Sequence, residues 1–267
     1  MTLAHQPRSS TPQAPTHNIS RPILQVCSFL ALCVSVLGLA GWFGNVAALK
    51  TVLPGLPALK PMGAIGLGAG AIAIALALQA RGRQLKAVAL AFSLVAVLIG
   101  LAALLQYQTG IDLGLLTVLI NGETETGSPG PLSFVTAVDL VLLGIASGCV
   151  TFPRAWTRLI AWACSLLGLL IAFFSTFLTV LEIFYDPGSV YDTAPLTSIA
   201  LHAGTGFFIV FCGLLLWGCR DSLRLPLVAL AVLVLAPLAA VMVFFAITER
   251  RAALEAGRDR MANHARI

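Results

Sequence analysis

The chain is predicted to be an all-α, polytopic membrane helix bundle of about seven transmembrane helices. Three observations predict it. Of 267 residues, 58% are hydrophobic and only 10% are charged, against roughly one quarter charged in a soluble globular domain. The mean hydropathy is +0.95. The charges are also segregated: long runs carry none, and Lys, Arg, Asp and Glu gather in the short segments between them. Hydrocarbon offers no hydrogen bonds, so each run must satisfy its own backbone as a helix.

Residues 1–22 are polar and rich in Pro, Ser, Thr and Gln, the composition of a disordered segment. The run 23–43 exceeds the ~7–15 residues of a signal-peptide core, and no clear small-residue cleavage site follows it, so it reads as an uncleaved first helix. Six further runs occupy 62–80, 87–105, 132–150, 156–181, 198–218 and 225–247, each near the ~20 residues needed to cross the hydrocarbon core. Pro237 falls in the last run and is predicted to kink it, as a packed bundle tolerates. The organisation expected is a cytoplasmic N-terminus (1–22), a six-helix membrane region (23–218), a cytoplasmic loop with a seventh helix (219–247) and a charged segment (248–267).

Short basic loops set the orientation. Arg81, Arg83 and Lys86 lie between the second and third helices, Arg154 and Arg158 between the fourth and fifth, and Arg220 and Arg224 between the sixth and seventh. The alternate loops hold Lys50 and Lys60 with the acids Asp112, Glu123, Glu125, Asp186 and Asp192. The N-terminus, with Arg8 and Arg21, is therefore expected in the cytoplasm. Seven crossings put the tail on the opposite, outer side of the membrane. Arg250, Arg251, Arg258, Arg260 and Arg266 pull against that placement. The same topology accounts for the net charge of +5; no Lys/Arg cluster with interleaved aromatics marks a nucleic-acid partner.

Of six cysteines, Cys27, Cys33, Cys164 and Cys212 fall inside apolar runs and Cys149 and Cys219 at their ends. None has CxxC spacing, so neither a disulfide framework nor a zinc site is expected. Gly66, Gly68 and Gly70 imitate a nucleotide box, but no strand precedes them and they lie inside a membrane run. A retinal protein needs a Lys deep in its last helix, whereas Lys50, Lys60 and Lys86 are all in loops. A membrane haem held by two histidines needs a second buried His beside His202. No Ser, His and Asp set is arranged for hydrolysis. No cofactor and no enzyme activity are expected.

Three segments align at the starts of the even-numbered helices: LKPMGAIGLGAG from Leu59, LSFVTAVDLVLLG from Leu132 and IALHAGTGFFIV from Ile199. Their period reads as pseudo-repeated helical hairpins, two helices to a unit, with the first helix left over. Small residues in them, with Gly63, Gly66, Gly70 and Gly204 foremost, are expected to let helices pack closely. Gly110-Ile111-Asp112-Leu113-Gly114, preceded by Gln106-Tyr107, follows the third helix. Together these features resemble the N-terminal multi-helix membrane input region of bacterial multidomain signalling proteins, of the sensor histidine kinase and diguanylate cyclase type. In that family each repeat opens with a Met-x-x-Asn/His-Thr-Ala-Leu-like stretch. Here the third repeat retains Leu201-His202 and the second Thr136-Ala137, while Met62 and Val135 replace the usual polar residue.

The resemblance covers roughly 23–218. Residues 225–267, with ERRAALEAGRDRM, resemble the entry helix and charged stalk of an extracytoplasmic sensor domain. What the resemblance implies is a transmitter downstream, and this sequence carries no phosphoacceptor region and no cyclase signature. A truncated or split product, or a module working with a partner, is the expectation. A homodimer or a separate signalling protein is the partner expected by analogy, besides the lipid bilayer.

Asp139 is the sharpest anomaly, because an ionisable group seven residues into a membrane helix costs a few kcal/mol by insertion scales. In the repeat alignment His202 takes the column of Val135, one turn before Asp139. The two are expected to pair if helices four and six are neighbours, with Glu182 at the end of the fifth helix available to complete a pocket. The balance favours a structural hydrogen bond over a ligand pocket. A signalling input or anchor module without a catalytic domain is the leading functional expectation. A small transporter or channel built around Asp139 and His202 is the alternative.

Overall fold

The computed structural model describes residues 20–46, 49, 58–110, 132–152, 154–184 and 200–218, with backbone alone for 179–184. The expected seventh helix with Pro237, the charged tail, the N-terminal segment 1–19 and Ile111 to Gly114 lie outside the described residues. Within them six helices form: α1 (Ser20–Phe43), α2 (Pro61–Gln79), α3 (Arg83–Thr109), α4 (Phe134–Val150), α5 (Ala155–Phe184) and α6 (Leu201–Gly218). Five are long and apolar enough to cross a membrane. The other, α4, is an apolar helix of 17 residues and rises about 26 Å. The chain is a multi-pass helical membrane protein.

Local chemistry fixes the helix ends. Pro61 occupies the first turn of α2, where its missing N–H has no partner to lose. Gly110 stops α3 in the left-handed region at φ 66°, its N–H donating to the Gln106 carbonyl at 2.9 Å; glycine adopts this cap without a Cβ clash. Ser133 caps α4 by accepting from the Thr136 N–H at 3.3 Å, so α4 starts two residues later than its apolar run. The tight turn into α5 closes on Thr157, whose hydroxyl reaches the carbonyls of Phe152 and Arg154 and accepts the Arg154 N–H at 3.2 Å.

The helices form two tiers. The even-numbered helices α2, α4 and α6 touch one another. Around them α1 lies between α2 and α6, α3 between α2 and α4, and α5 between α4 and α6. Burial follows this order: over an 18-residue apolar stretch of each helix, 61% of residues are buried in α2 and 56% in α6, against 28% in α1 and α3 and 33% in α5. The inner helices are also the shorter, at 19, 17 and 18 residues against 24, 27 and 30.

Each outer helix turns a stripe of small residues inward. On α1 it runs through Ser28, Ala31, Ser35, Gly38 and Gly41, and on α3 through Ala89, Ser93, Ala96, Gly100 and Ala103. On α5 it includes Ala161, Ser165, Ala172 and Ser175. Large side chains such as Phe29, Leu98 and Leu159 point outward. In lipid, apolar bulk gains little from leaving the solvent, and close backbone approach with dispersion contacts drives helix association. The stripes supply that approach.

The tightest seam joins α3 to α4. A methyl group on Gly100 would stand 2.6 Å from the Ala137 carbonyl oxygen, and one on Gly144 2.8 Å from that of Ser93. Elsewhere Ser35 of α1 donates to the Ala64 carbonyl of α2 at 2.7 Å. The Trp42 indole N–H donates to the Leu59 carbonyl at 2.6 Å, tying the end of α1 to the start of α2.

Candidate functional site

The N-terminal ends of the inner helices carry the three aligned segments, and they meet at one end of the bundle. There they line a shallow depression from equivalent places. Lys60, Ser133 and Ala200 share one column of the alignment, Gly63, Thr136 and Ala203 another, and Leu59 and Leu132 a third. The hydroxyls of Ser133 and Thr136 are bonded to each other at 2.7 Å. Lys60, just before α2, is half-buried, and loss of hydration pushes its ammonium below the usual lysine range.

One turn deeper the inner helices interlock. The Leu140 side chain of α4 covers Gly66 of α2, Leu143 covers Gly70, and Leu67 of α2 covers Gly206 of α6. Gly63 also faces α4, through Leu132 and Thr136. Gly204 instead meets Thr176 of α5. Gly66 and Gly206 hold the same column of the alignment, and the third residue in that column is Asp139. Where two inner helices present a glycine notch to a neighbour's leucine, α4 presents a carboxyl group.

Asp139 is 0% exposed, and neither carboxyl oxygen has a hydrogen-bond partner among the described residues. His202 on α6 has both ring nitrogens buried and equally without partners. Although α4 and α6 touch, the pair expected from the sequence does not form a hydrogen bond. The alignment gives the reason: His202 sits four places earlier in its helix than Asp139 does, an axial offset of about 6 Å. Glu182 lies in the last turn of α5, and its side chain falls outside the described residues.

Another buried polar group carries no signal in the sequence. The Thr176 hydroxyl is buried without a partner among the described residues and abuts Gly204, two residues from His202. Threonines are common in membrane helices, and nothing in the local pattern sets this one apart. Among the described residues no group of three or more His, Cys, Asp or Glu side chains is placed to hold a metal ion. The chemistry available is thus that of separate, unpaired polar groups between closely packed apolar helices.

Comparison with protein-family models, with curated proteins and with solved structures finds no match for this chain.

Proposed function

We propose that the chain is a membrane input or anchor module of a bacterial signalling protein, seated in the inner membrane with its N-terminus in the cytoplasm. It acts through a shift between two packings of the same helices, and carries no reaction of its own. In this reading α1 stands apart, the hairpins α2–α3, α4–α5 and α6 with a seventh helix are pseudo-repeats, and the partner is a second copy or a separate signalling protein. The observation that carries the reading is the meeting of the three aligned segments, the residues on which the family resemblance rests, at one end of an inner three-helix core. A signal entering there bears on all three hairpins together.

Asp139 supports the alternative of a transporter, since a buried carboxyl without a partner is what a proton carrier requires. One experiment separates the two. The protein is reconstituted in liposomes with spin labels at the lipid-facing Leu98 of α3 and Leu167 of α5. Distances between them are recorded as external pH and bilayer thickness vary, alongside proton flux. Two discrete, interconverting distances without flux support the signalling module. One invariant distance with a flux lost in Asp139→Asn overturns it in favour of transport.

A further inference from the structure

The opposite end of the bundle holds a cavity of about 700 Å³, within the size range of small-molecule sites. Its wall draws on five helices and the α2–α3 turn. Arg21 comes from the first turn of α1, Gln79 from the end of α2, Arg81 from the turn, Lys86 from α3, Thr151 from just past α4 and Trp217 from α6. No acidic residue lines it among the described residues, and Arg21, Arg81 and Lys86 form no ion pair there. Thr151 is 3% exposed, and its hydroxyl has no hydrogen-bond partner among the described residues.

Short basic segments on one side of a membrane account for basic residues collecting at this end. They do not explain why three such residues line one hollow that holds no acidic side chain among the described residues. Two guanidinium forks, an ammonium and a spare hydroxyl donor match the acceptor-rich oxygens of a phosphate group, and an indole beside them suits the headgroup level of a bilayer. We infer that this cavity binds a phosphate-bearing anion, held by Arg21, Arg81 and Lys86 with Thr151 as a further donor. The phosphate comes from the headgroup of an anionic phospholipid or from a soluble phosphate ester, and the recognition chemistry is the same.

The test uses the full chain in phosphatidylcholine nanodiscs, with and without phosphatidylglycerol, and reads retained lipid by native mass spectrometry. In a second arm, glycerol 3-phosphate and inorganic phosphate are titrated against the protein in phosphatidylcholine alone. Phosphatidylglycerol retained in the first arm identifies a headgroup site; saturable binding in the second identifies a soluble ligand. Either binding should weaken about tenfold in Arg81→Gln or Lys86→Gln, and several-fold in Thr151→Val. Arg83→Gln alters an exposed arginine at the start of α3 that does not line the cavity, and should leave binding unchanged. Thermal unfolding of each variant shows whether it has folded. Equal losses for Arg83→Gln and Arg81→Gln in folded protein would reduce the effect to diffuse surface charge. That result, or no binding in either arm, overturns the inference.

Discussion

The hydroxyls of Ser93 on α3 and Ser147 on α4 lie 3.0 Å apart, one hydrogen bond across the seam where two helix backbones come closest. Each also reaches a carbonyl of its own helix, Ser93 that of Ala89 at 3.1 Å and Ser147 that of Gly144 at 3.0 Å. Those intrahelical alternatives limit what the cross-helix bond contributes. Ser93→Ala and Ser147→Ala should each cost about 0.6 kcal/mol, the average for interhelical hydrogen bonds in membranes, and no more than about 1.7 kcal/mol. A double-mutant cycle in detergent measures the coupling; a value near zero would assign both hydroxyls to their own helices.

Backbone proximity should matter more than that bond. Gly100→Ala and Gly144→Ala each drive a methyl group into a carbonyl oxygen that cannot swing aside. The expected loss is about 1–3 kcal/mol apiece, the usual cost of overpacking, read as an earlier unfolding midpoint in a denaturing-detergent titration. Gly82→Ala is the control, because a Cβ at Gly82 meets nothing within 4 Å; as the N-cap of α3 it should lose only the small preference of that position for glycine over alanine, and its midpoint should fall less than those of the other two.

Asp139 makes the opposite prediction. A carboxyl group with no hydrogen-bond partner among the described residues has no bond to lose, so the near-isosteric Asp139→Asn should shift stability by less than about 1 kcal/mol. A loss well beyond that would show that the carboxyl holds helices together through a hydrogen bond.

Lys60 supplies a pH dependence. Burial lowers its pKa in the folded protein, so between the lowered value and the ordinary lysine value the unfolded chain binds more protons than the folded one. Stability should therefore rise with pH across that alkaline window. Lys60→Gln should flatten the rise. Acylation followed by peptide mass mapping should find Lys60 reactive at a lower pH than a fully hydrated lysine amine.

Much of the helical layout was legible from run length alone, because a hydrocarbon solvent leaves a charge-free run of the right length few alternatives. Run length also mislocated ends. Helix α3 extends from Arg83 to Thr109, beyond its apolar run, since Gln84, Lys86, Gln106 and Gln108 are compatible with a helix wherever water or headgroups can reach them. The split into inner and outer helices was present as the small-residue stripes of α1, α3 and α5, spaced by three and four, which a count of apolar residues ignores. The glycine notches were seen on α2, but which leucine fills each depends on helix order. The missing Asp139–His202 bond depends on axial register, and no single helix encodes that.

The difference in length between the two tiers bears on how a transmembrane voltage is distributed. At the rim the helices rise about 36–45 Å, but near the axis only about 26–29 Å separates one end from the other. Where the ends are recessed enough to admit water, as at the 700 Å³ hollow, the same potential drops over a shorter path. A charge shifted a given distance along the axis then does more electrical work than one shifted equally far at the perimeter.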